Sequence, residues 1–417
     1  AAARTDSWSR RAATLVSAVM IGLVAIGFAI AGDHASNFFE RTTHHYPWVY
    51  LVSAPLVFVA IAAATNRLAP DARGSGIPQV IAASRMPGHA AIAGLVAIRT
   101  ALFKAVLTVA ALLGGASVGR EGPTVQLGAA IMVQVHRLFR VPISAGVYIA
   151  GGAAGVAAAF NTPLAGIAFA IEELAAAYEQ RVTLLVMTAI LISGMVAQGL
   201  SGDYIYFGVN GAALSFKSAL IVAPMAGALG GVTGGCFSRL LIAASQSTSR
   251  LGSQIAKRPL LAAGICGVIV AVLGVVTQLT WGTGYDPARA MIEGRSLPLW
   301  FGFAKFAATL ATAVAGLPGG IFSPSLSTGA GFGNMLRFMF PGEPASAVVL
   351  LGMVAYFTGV VRAPLTAVII LAETTVSRGL MMPMLAAALI ANQTSQLVCP
   401  DKLYETLARG FTGRSEN

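Results

Sequence analysis

The chain has 417 residues, of which 56% are hydrophobic and only 10% charged. Soluble domains carry about 25% charged residues to clothe their surface, so a soluble enzyme, binding module or scaffold is excluded by composition alone. The 27 Lys+Arg against 16 Asp+Glu, a formal charge of +11, must therefore sit on the small polar surface of a polytopic membrane protein.

Apolar stretches follow one another at about 12–32, 47–64, 89–118, 126–135, 143–177, 182–200, 217–244, 259–281, 297–317, 344–373 and 379–399. The first is too long for a signal-peptide core and has no clear cleavage site, so it reads as a retained span. Arg4, Arg10 and Arg11 precede it, and the positive-inside rule makes that start cytoplasmic. His44 and His45, between the first two stretches, are expected as an exposed loop pair. A straight span needs about 20 apolar residues. Several stretches are much shorter or longer and are interrupted by Gly or Pro, the pattern of tilted, re-entrant or broken helices whose freed backbone lines a protected cavity. The clusters Arg67/Arg73, Arg250/Lys257/Arg258 and Lys402/Arg409/Arg414 fall in the gaps. They read as loop charges that set topology and not as a nucleic-acid surface. Cys236, Cys266 and Cys399 lie far apart in apolar sequence and are expected to be inert packing residues. Little sequence follows the last stretch, so one transmembrane domain over 1–417 is expected, with no cytosolic regulatory domain.

Sliding the chain by 201 positions aligns its two halves. Lys104 meets Lys305, Gly115 meets Gly316, Gly119 meets Gly320, Pro123 meets Pro324, and Gly128 meets Gly329. Further on, Gly151 meets Gly352, Pro163-Leu164-Ala165 meets Pro364-Leu365-Thr366, and Glu172 meets Glu373. An ungapped match that includes Lys, Pro and Glu predicts two structural repeats, over about 12–200 and 217–409. Transporter folds of this kind place their binding site between the halves, near the bilayer midplane.

Three glycine-rich phrases run directly into apolar sequence: Gly74-Ser75-Gly76-Ile77-Pro78, Gly119-Arg120-Glu121-Gly122-Pro123 and Gly319-Gly320-Ile321-Phe322-Ser323-Pro324. Proline suits the first turn of a helix, so each phrase predicts a helix N-terminus with unpaired N–H groups. Such an end carries roughly half a positive charge and favours an anion. A dipole site also suits a permeating ion, which a full lysine or arginine charge would hold too tightly. Gly74-Ser75-Gly76 is not a dinucleotide fingerprint, because no βαβ pattern surrounds it. The alternative is that the glycines only permit close packing; three phrases, two of them repeat-related, favour the site. Within it, Glu121 is an ionisable residue in apolar surroundings and a functional candidate by default. When charged it can take the anion's place; when neutral it can carry a proton. The plainer alternative is that it only pairs with Arg120. Glu172, Glu173 and Glu373 end two apolar runs, either as functional carboxylates or as helix-end residues. No metal-ligand spacing and no Ser/His/Asp arrangement stands out, so neither a metal site nor an enzyme is expected.

GSGIP at 74–78, GREGP at 119–123 and GGIFSP at 319–324 resemble the three signature segments of the CLC family of chloride channels and chloride/proton exchangers. FNTPLAGIAFAIEE from Phe160 to Glu173 and RAPLT at 362–366 are similar to that family as well, and the resemblance runs from about residue 12 to Arg409. It implies an all-α, CLC-type fold of two inverted repeats, a homodimer, and one anion pathway per subunit. It implies that the Ser75 and Tyr404 hydroxyls hold the central chloride together with the N–H groups of Ile321 and Phe322. Gly74, Arg120 and Gly122, in the same phrases, complete the expected anion site. Glu121 would be the external gate and shared proton/chloride switch, and Glu173 the internal proton acceptor that exchangers tend to keep. The expected activity is chloride/proton antiport in a bacterial inner membrane, with chloride as substrate and no other cofactor; the alternative is a passive chloride channel. Ser75 favours chloride over nitrate, for which plant relatives have proline there, and argues against the fluoride-exporting branch. After GSGIP the chain carries Gln79-Val80-Ile81, where bacterial exchangers often carry acids, so Lys104 is expected to lack its usual nearby partner.

Overall fold

The computed structural model describes residues 2–174, 180–201, 207, 211–375 and 377–412. The first half contains α1 (Ala2–His45), α2 (Tyr50–Leu68), α3 (Ile77–Arg85), α4 (Ile98–Leu113), α5 (Glu121–Leu138), α6 (Ala145–Phe160), α7 (Pro163–Phe169) and α8 (Gln180–Ser201). The second contains α9 (Phe216–Ser245), α10 (Arg250–Lys257), α11 (Pro259–Thr277), α12 (Tyr285–Ile292), α13 (Phe301–Val314), α14 (Phe322–Arg337), α15 (Ala345–Val361), α16 (Pro364–Thr375) and α17 (Met381–Val398); α18 (Leu403–Thr412) follows. No strand occurs among the described residues.

Four helical segments, at Trp8–His45, Pro47–Leu68, Phe216–Ser245 and Pro259–Thr277, are long and apolar enough to cross a bilayer. The expected loop pair His44 and His45 instead forms the exposed last turn of α1. The stretch expected at 143–177 divides into α6, α7 and a π-turn at Ala170–Leu174, its last residues lying outside the described ones, as does Arg414 of the third basic cluster. The interior is built by close approach: a Cβ on Gly128 would lie 2.3 Å from the Gly151 carbonyl oxygen, and one on Gly352 would lie 2.4 Å from the Gly333 Cα. These are repeat-equivalent crossings, α5 on α6 and α14 on α15, and both depend on glycine in the same way.

The halves are inverted. The N-termini of α5 and α14 meet at Gly119 and Gly320, where each N–H donates to the other's carbonyl at 2.7 Å. From there the helices diverge. The end of α5 is held by Ser9, whose hydroxyl donates to the Phe139 carbonyl at 3.0 Å, next to Arg10 and Arg11. The end of α14 reaches the opposite face, where Arg337 donates to the Gly294 and Arg295 carbonyls at 3.3 Å. Residues 201 positions apart are thus exchanged by a pseudo-two-fold axis passing between Gly119 and Gly320.

A further copy appears at a different spacing. Gly282-Thr283-Gly284, before α12, corresponds to Gly74-Ser75-Gly76 before α3. The glycines are left-handed in both, at φ of 71° and 106° in one and 54° and 76° in the other, a conformation that favours glycine. In each half a buried lysine donates to the carbonyl of the first glycine at 2.8 Å: Lys104 to Gly74 and Lys305 to Gly282. Lys305 adds bonds to the Thr280 and Trp281 carbonyls at 3.0 and 3.2 Å. Lys104 therefore has a partner, in backbone rather than in the acids absent after GSGIP.

Candidate anion site at the junction of the halves

The three glycine-rich phrases converge. Gly119 and Gly320 pair as described, and the Gly319 N–H donates to the Gly74 carbonyl at 3.2 Å. That carbonyl also accepts from Lys104. Gly122 fits between the other two phrases: a Cβ there would lie 2.5 Å from the Ser75 hydroxyl and 3.1 Å from the Gly320 Cα. Only glycine allows this approach, and it brings the starts of α5 and α14 beside Ser75 in the membrane interior.

Ser75 and Tyr404 face each other, the tyrosine hydroxyl within the influence of the serine hydroxyl. Tyr404 is fully buried, and apart from each other neither hydroxyl has a hydrogen-bond partner among the described residues. Buried polar groups are normally satisfied, and two orphaned donors beside two helix N-termini fit an anion. Ile321 and Phe322 are buried at the start of α14. The Phe322 ring packs edge-on against Phe357 at 4.9 Å and Phe169 at 5.8 Å, with the Tyr404 ring at 6.1 Å. This aromatic wall excludes water and strengthens the electrostatics inside it.

Glu121 opens α5 and is fully buried. Oε1 accepts a hydrogen bond from the Ser323 hydroxyl at 2.5 Å. Oε2 has no partner and lies against Gly119, where a Cβ would come to 2.2 Å. Its neighbour departs from the expectation. The Arg120 guanidinium neither pairs with Glu121 nor faces the anion site; Nη1 donates to the Ala29 carbonyl and to Asp33 Oδ1 on α1, both at 2.6 Å. A guanidinium with a carboxylate in reach takes it rather than remain beside a buried helix end.

Glu173 lies in the π-turn after α7, a distortion common at functional positions. It is half-buried, and its Oε2 has no partner. Lys402, Glu172, Glu405 and Arg85 surround it electrostatically. Tyr404 lies near enough for the charges of Glu121 and Glu173 both to reach its hydroxyl. Glu172, beside Glu173, does something different: it accepts from the Leu365 and Thr366 N–H groups at 3.0 and 2.7 Å and from the Thr366 hydroxyl at 2.7 Å. Glu373 accepts from the Leu164 and Ala165 N–H groups at 3.2 and 2.8 Å.

A cavity of about 1210 Å³ opens beyond Arg120, lined among others by Asp33, Glu40, Asp286, Arg289 and Glu293. Asp33 stands 22–23 residues along α1 from Arg10 and Arg11, about 33 Å at 1.5 Å per residue, close to the thickness of a bilayer's hydrocarbon core. The cavity is thus a vestibule toward the face opposite Arg10 and Arg11. Asp33 and the Gly282 loop carry no signal in the sequence pattern alone, except that Gly-Thr-Gly echoes Gly-Ser-Gly once a shorter spacing is allowed; Ser323 stands within GGIFSP, but nothing there marks it as the partner of Glu121.

Two inverted halves meeting at paired helix N-termini, with orphaned hydroxyls and an acid between them, define a polytopic membrane protein of the inverted-repeat class. The family model described as "Voltage gated chloride channel" matches residues 57–396. The H(+)/Cl(-) exchange transporter ClcA of Vibrio cholerae (strain M66-2) is 31% identical over 385 residues, covering 86% of this chain and 78% of the relative. That of Klebsiella pneumoniae (strain 342) is 29% identical over 436 residues, covering 97% and 90%. A solved structure of a slow cyanobacterial Cl-/H+ antiporter shares the fold with a TM-score of 0.84 at 23% identity, covering 98% of this chain and 99% of that one. A CLC-type fluoride/proton antiporter gives 0.78 at 23% identity, covering 94% and 96%. This chain belongs to the voltage gated chloride channel, or CLC, family.

Proposed function

We propose that this protein exchanges chloride for protons across the membrane. Chloride is held by the Ser75 and Tyr404 hydroxyls and by the N–H groups at the starts of α5 and α14, with Gly74, Gly122, Ile321 and Phe322 shaping the site. Arg120 contributes backbone only. Glu121 is the gate: ionised, it takes the place of an anion at the N-terminus of α5; protonated, it leaves that place and carries the proton. Glu173 receives the proton on the cytoplasmic side. The observation that carries this reading is the pair of buried hydroxyls on Ser75 and Tyr404, which find no partner but each other where the glycine-rich phrases converge. The names of the curated relatives support antiport over passive conduction. The protein works as a homodimer in a bacterial inner membrane, as the family resemblance implies, and needs no cofactor besides its two cargoes.

The test is reconstitution into proteoliposomes under a chloride gradient. Chloride flow through the wild-type protein is expected to drive protons in the opposite direction and to build a proton gradient. Chloride flux without proton movement would replace this reading with a passive channel.

A further inference from the structure

Arg120 stands directly before the proposed gate, yet its charge is spent on α1. Both bonds from Nη1, to the Ala29 carbonyl and to Asp33 Oδ1, measure 2.6 Å. The arginine side chain is 11% exposed and the Asp33 side chain 61%. A carboxylate therefore forms the vestibule wall with the arginine behind it. The rest of the vestibule follows the same rule: Arg289 and Arg295 both donate to Glu293, at 2.8 and 2.9 Å. Glu40 and Asp286 add two more carboxylates. A mouth built to gather anions would present uncovered positive charge, which concentrates the ion locally and speeds its capture. Here each vestibule arginine is met by an acid.

We propose that Asp33 is a positioning residue that sets chloride capture from the outer side. It ties the residue preceding Glu121 to α1, and it cancels the positive charge nearest the gate on the vestibule side. The tie and the paired backbone at Gly119 fix both residues that lead into Glu121, which leaves the glutamate side chain as the moving part. The cancelled charge makes the outer mouth slow to load at low chloride. The proposal rests on chloride passing Glu121 in the reading above.

The variants separate charge from tie. Asp33→Asn keeps an oxygen that accepts from Arg120 but removes the charge, Asp33→Glu keeps both, and Asp33→Ala removes both. Chloride-jump flux is measured in right-side-out and in inverted membrane vesicles. In right-side-out vesicles Asp33→Asn is expected to lower the KM for chloride about three- to fivefold, the effect of one unit charge near the path at an intermediate dielectric, with maximal flux within twofold of wild type. In inverted vesicles the KM stays at the wild-type value. Raising an impermeant salt to about 1 M shortens the screening length to about 3 Å and is expected to erase the difference. Asp33→Glu restores the wild-type KM, and Asp33→Ala adds a loss of maximal flux. An unchanged KM in Asp33→Asn vesicles that still exchange chloride for protons overturns the proposal, as does an equal change from both sides. Wild-type vesicles without coupled flux would instead overturn the antiport reading itself.

Discussion

Glu172 and Glu373 each cap the helix that leads to the other. Glu172 accepts from the first N–H groups of α16, the helix carrying Glu373, and Glu373 accepts from the first N–H groups of α7, which runs into the turn carrying Glu172. The carboxylates neutralise helix N-termini inside the membrane domain, where water does not serve. Removing one leaves helix-end donors unpaired, at about 1–2 kcal/mol by analogy with lost N-caps. Glu373→Ala is therefore expected to lower the melting temperature in detergent by about 1–2 °C while leaving chloride flux in place. Differential scanning fluorimetry beside a flux assay checks this, and an unchanged melting temperature would rule out the capping role.

Replacing Glu121 by Gln removes the charge that competes with the anion. Wild-type flux is expected to rise as pH falls, because protonation clears the carboxylate from the anion's place. Glu121→Gln flux is expected to be flat with pH and to carry no protons. Paired chloride-electrode and pH-dye recordings between pH 4.5 and 7.5 decide the matter; a residual pH slope in the variant would point to a different titrating group.

Glu173 is proposed as the proton acceptor and not as a chloride ligand, so its loss should cut only one of the two flows. Glu173→Gln is expected to abolish proton movement while chloride continues at a comparable rate. The same recordings read this result, and loss of both flows would give Glu173 a role in holding chloride.

Gly119 makes a sharper test, because an added methyl falls on Glu121 itself. A Cβ there would lie 2.2 Å from Oε2 and 3.2 Å from Pro324 Cδ, and the end of a flexible carboxylate is the part able to give way. Gly119→Ala is expected to displace Glu121 and to raise chloride flux at neutral pH several-fold, toward the behaviour of Glu121→Gln. Flux below wild type at pH 7.5 in a well-folded variant would contradict the placement of the carboxylate.

Apart from each other, the Ser75 and Tyr404 hydroxyls have no partner among the described residues, so they can be removed at little cost to the fold. Ser75→Ala and Tyr404→Phe are each expected to weaken chloride binding by about 1.5 kcal/mol, roughly tenfold, the contribution of a hydrogen bond to a charged group. Calorimetric titration with chloride measures it. Unaltered affinity in both variants would move the anion elsewhere.

Much of this architecture is legible in the sequence because the repeated helices kept their spacing. From Lys104 and Lys305 onward the two halves stay 201 positions apart, so one ungapped shift reveals them. The outer loop escapes that shift: Gly74 and Lys104 are 30 positions apart, and Gly282 and Lys305 only 23. The glycine phrases and Glu121 stand out because a charge in apolar sequence is costly and rare. Partners across the fold leave no such mark. Arg120 and Asp33 are 87 positions apart with no periodicity between them, and which nearby acid an arginine takes is settled only by packing. Glu172 and Glu373 are visible as helix-end acids, but the exchange of caps between them exists only in three dimensions.

The second lysine-anchored loop, Gly282-Thr283-Gly284, gives the two mouths of the membrane domain one backbone frame. The inner one has serine followed by Gly-Ile-Pro; the outer one has threonine followed by Gly-Tyr-Asp, with acids at its rim. One backbone frame thus carries two different surfaces, and any asymmetry between the two sides of the membrane is written in side chains and not in backbone.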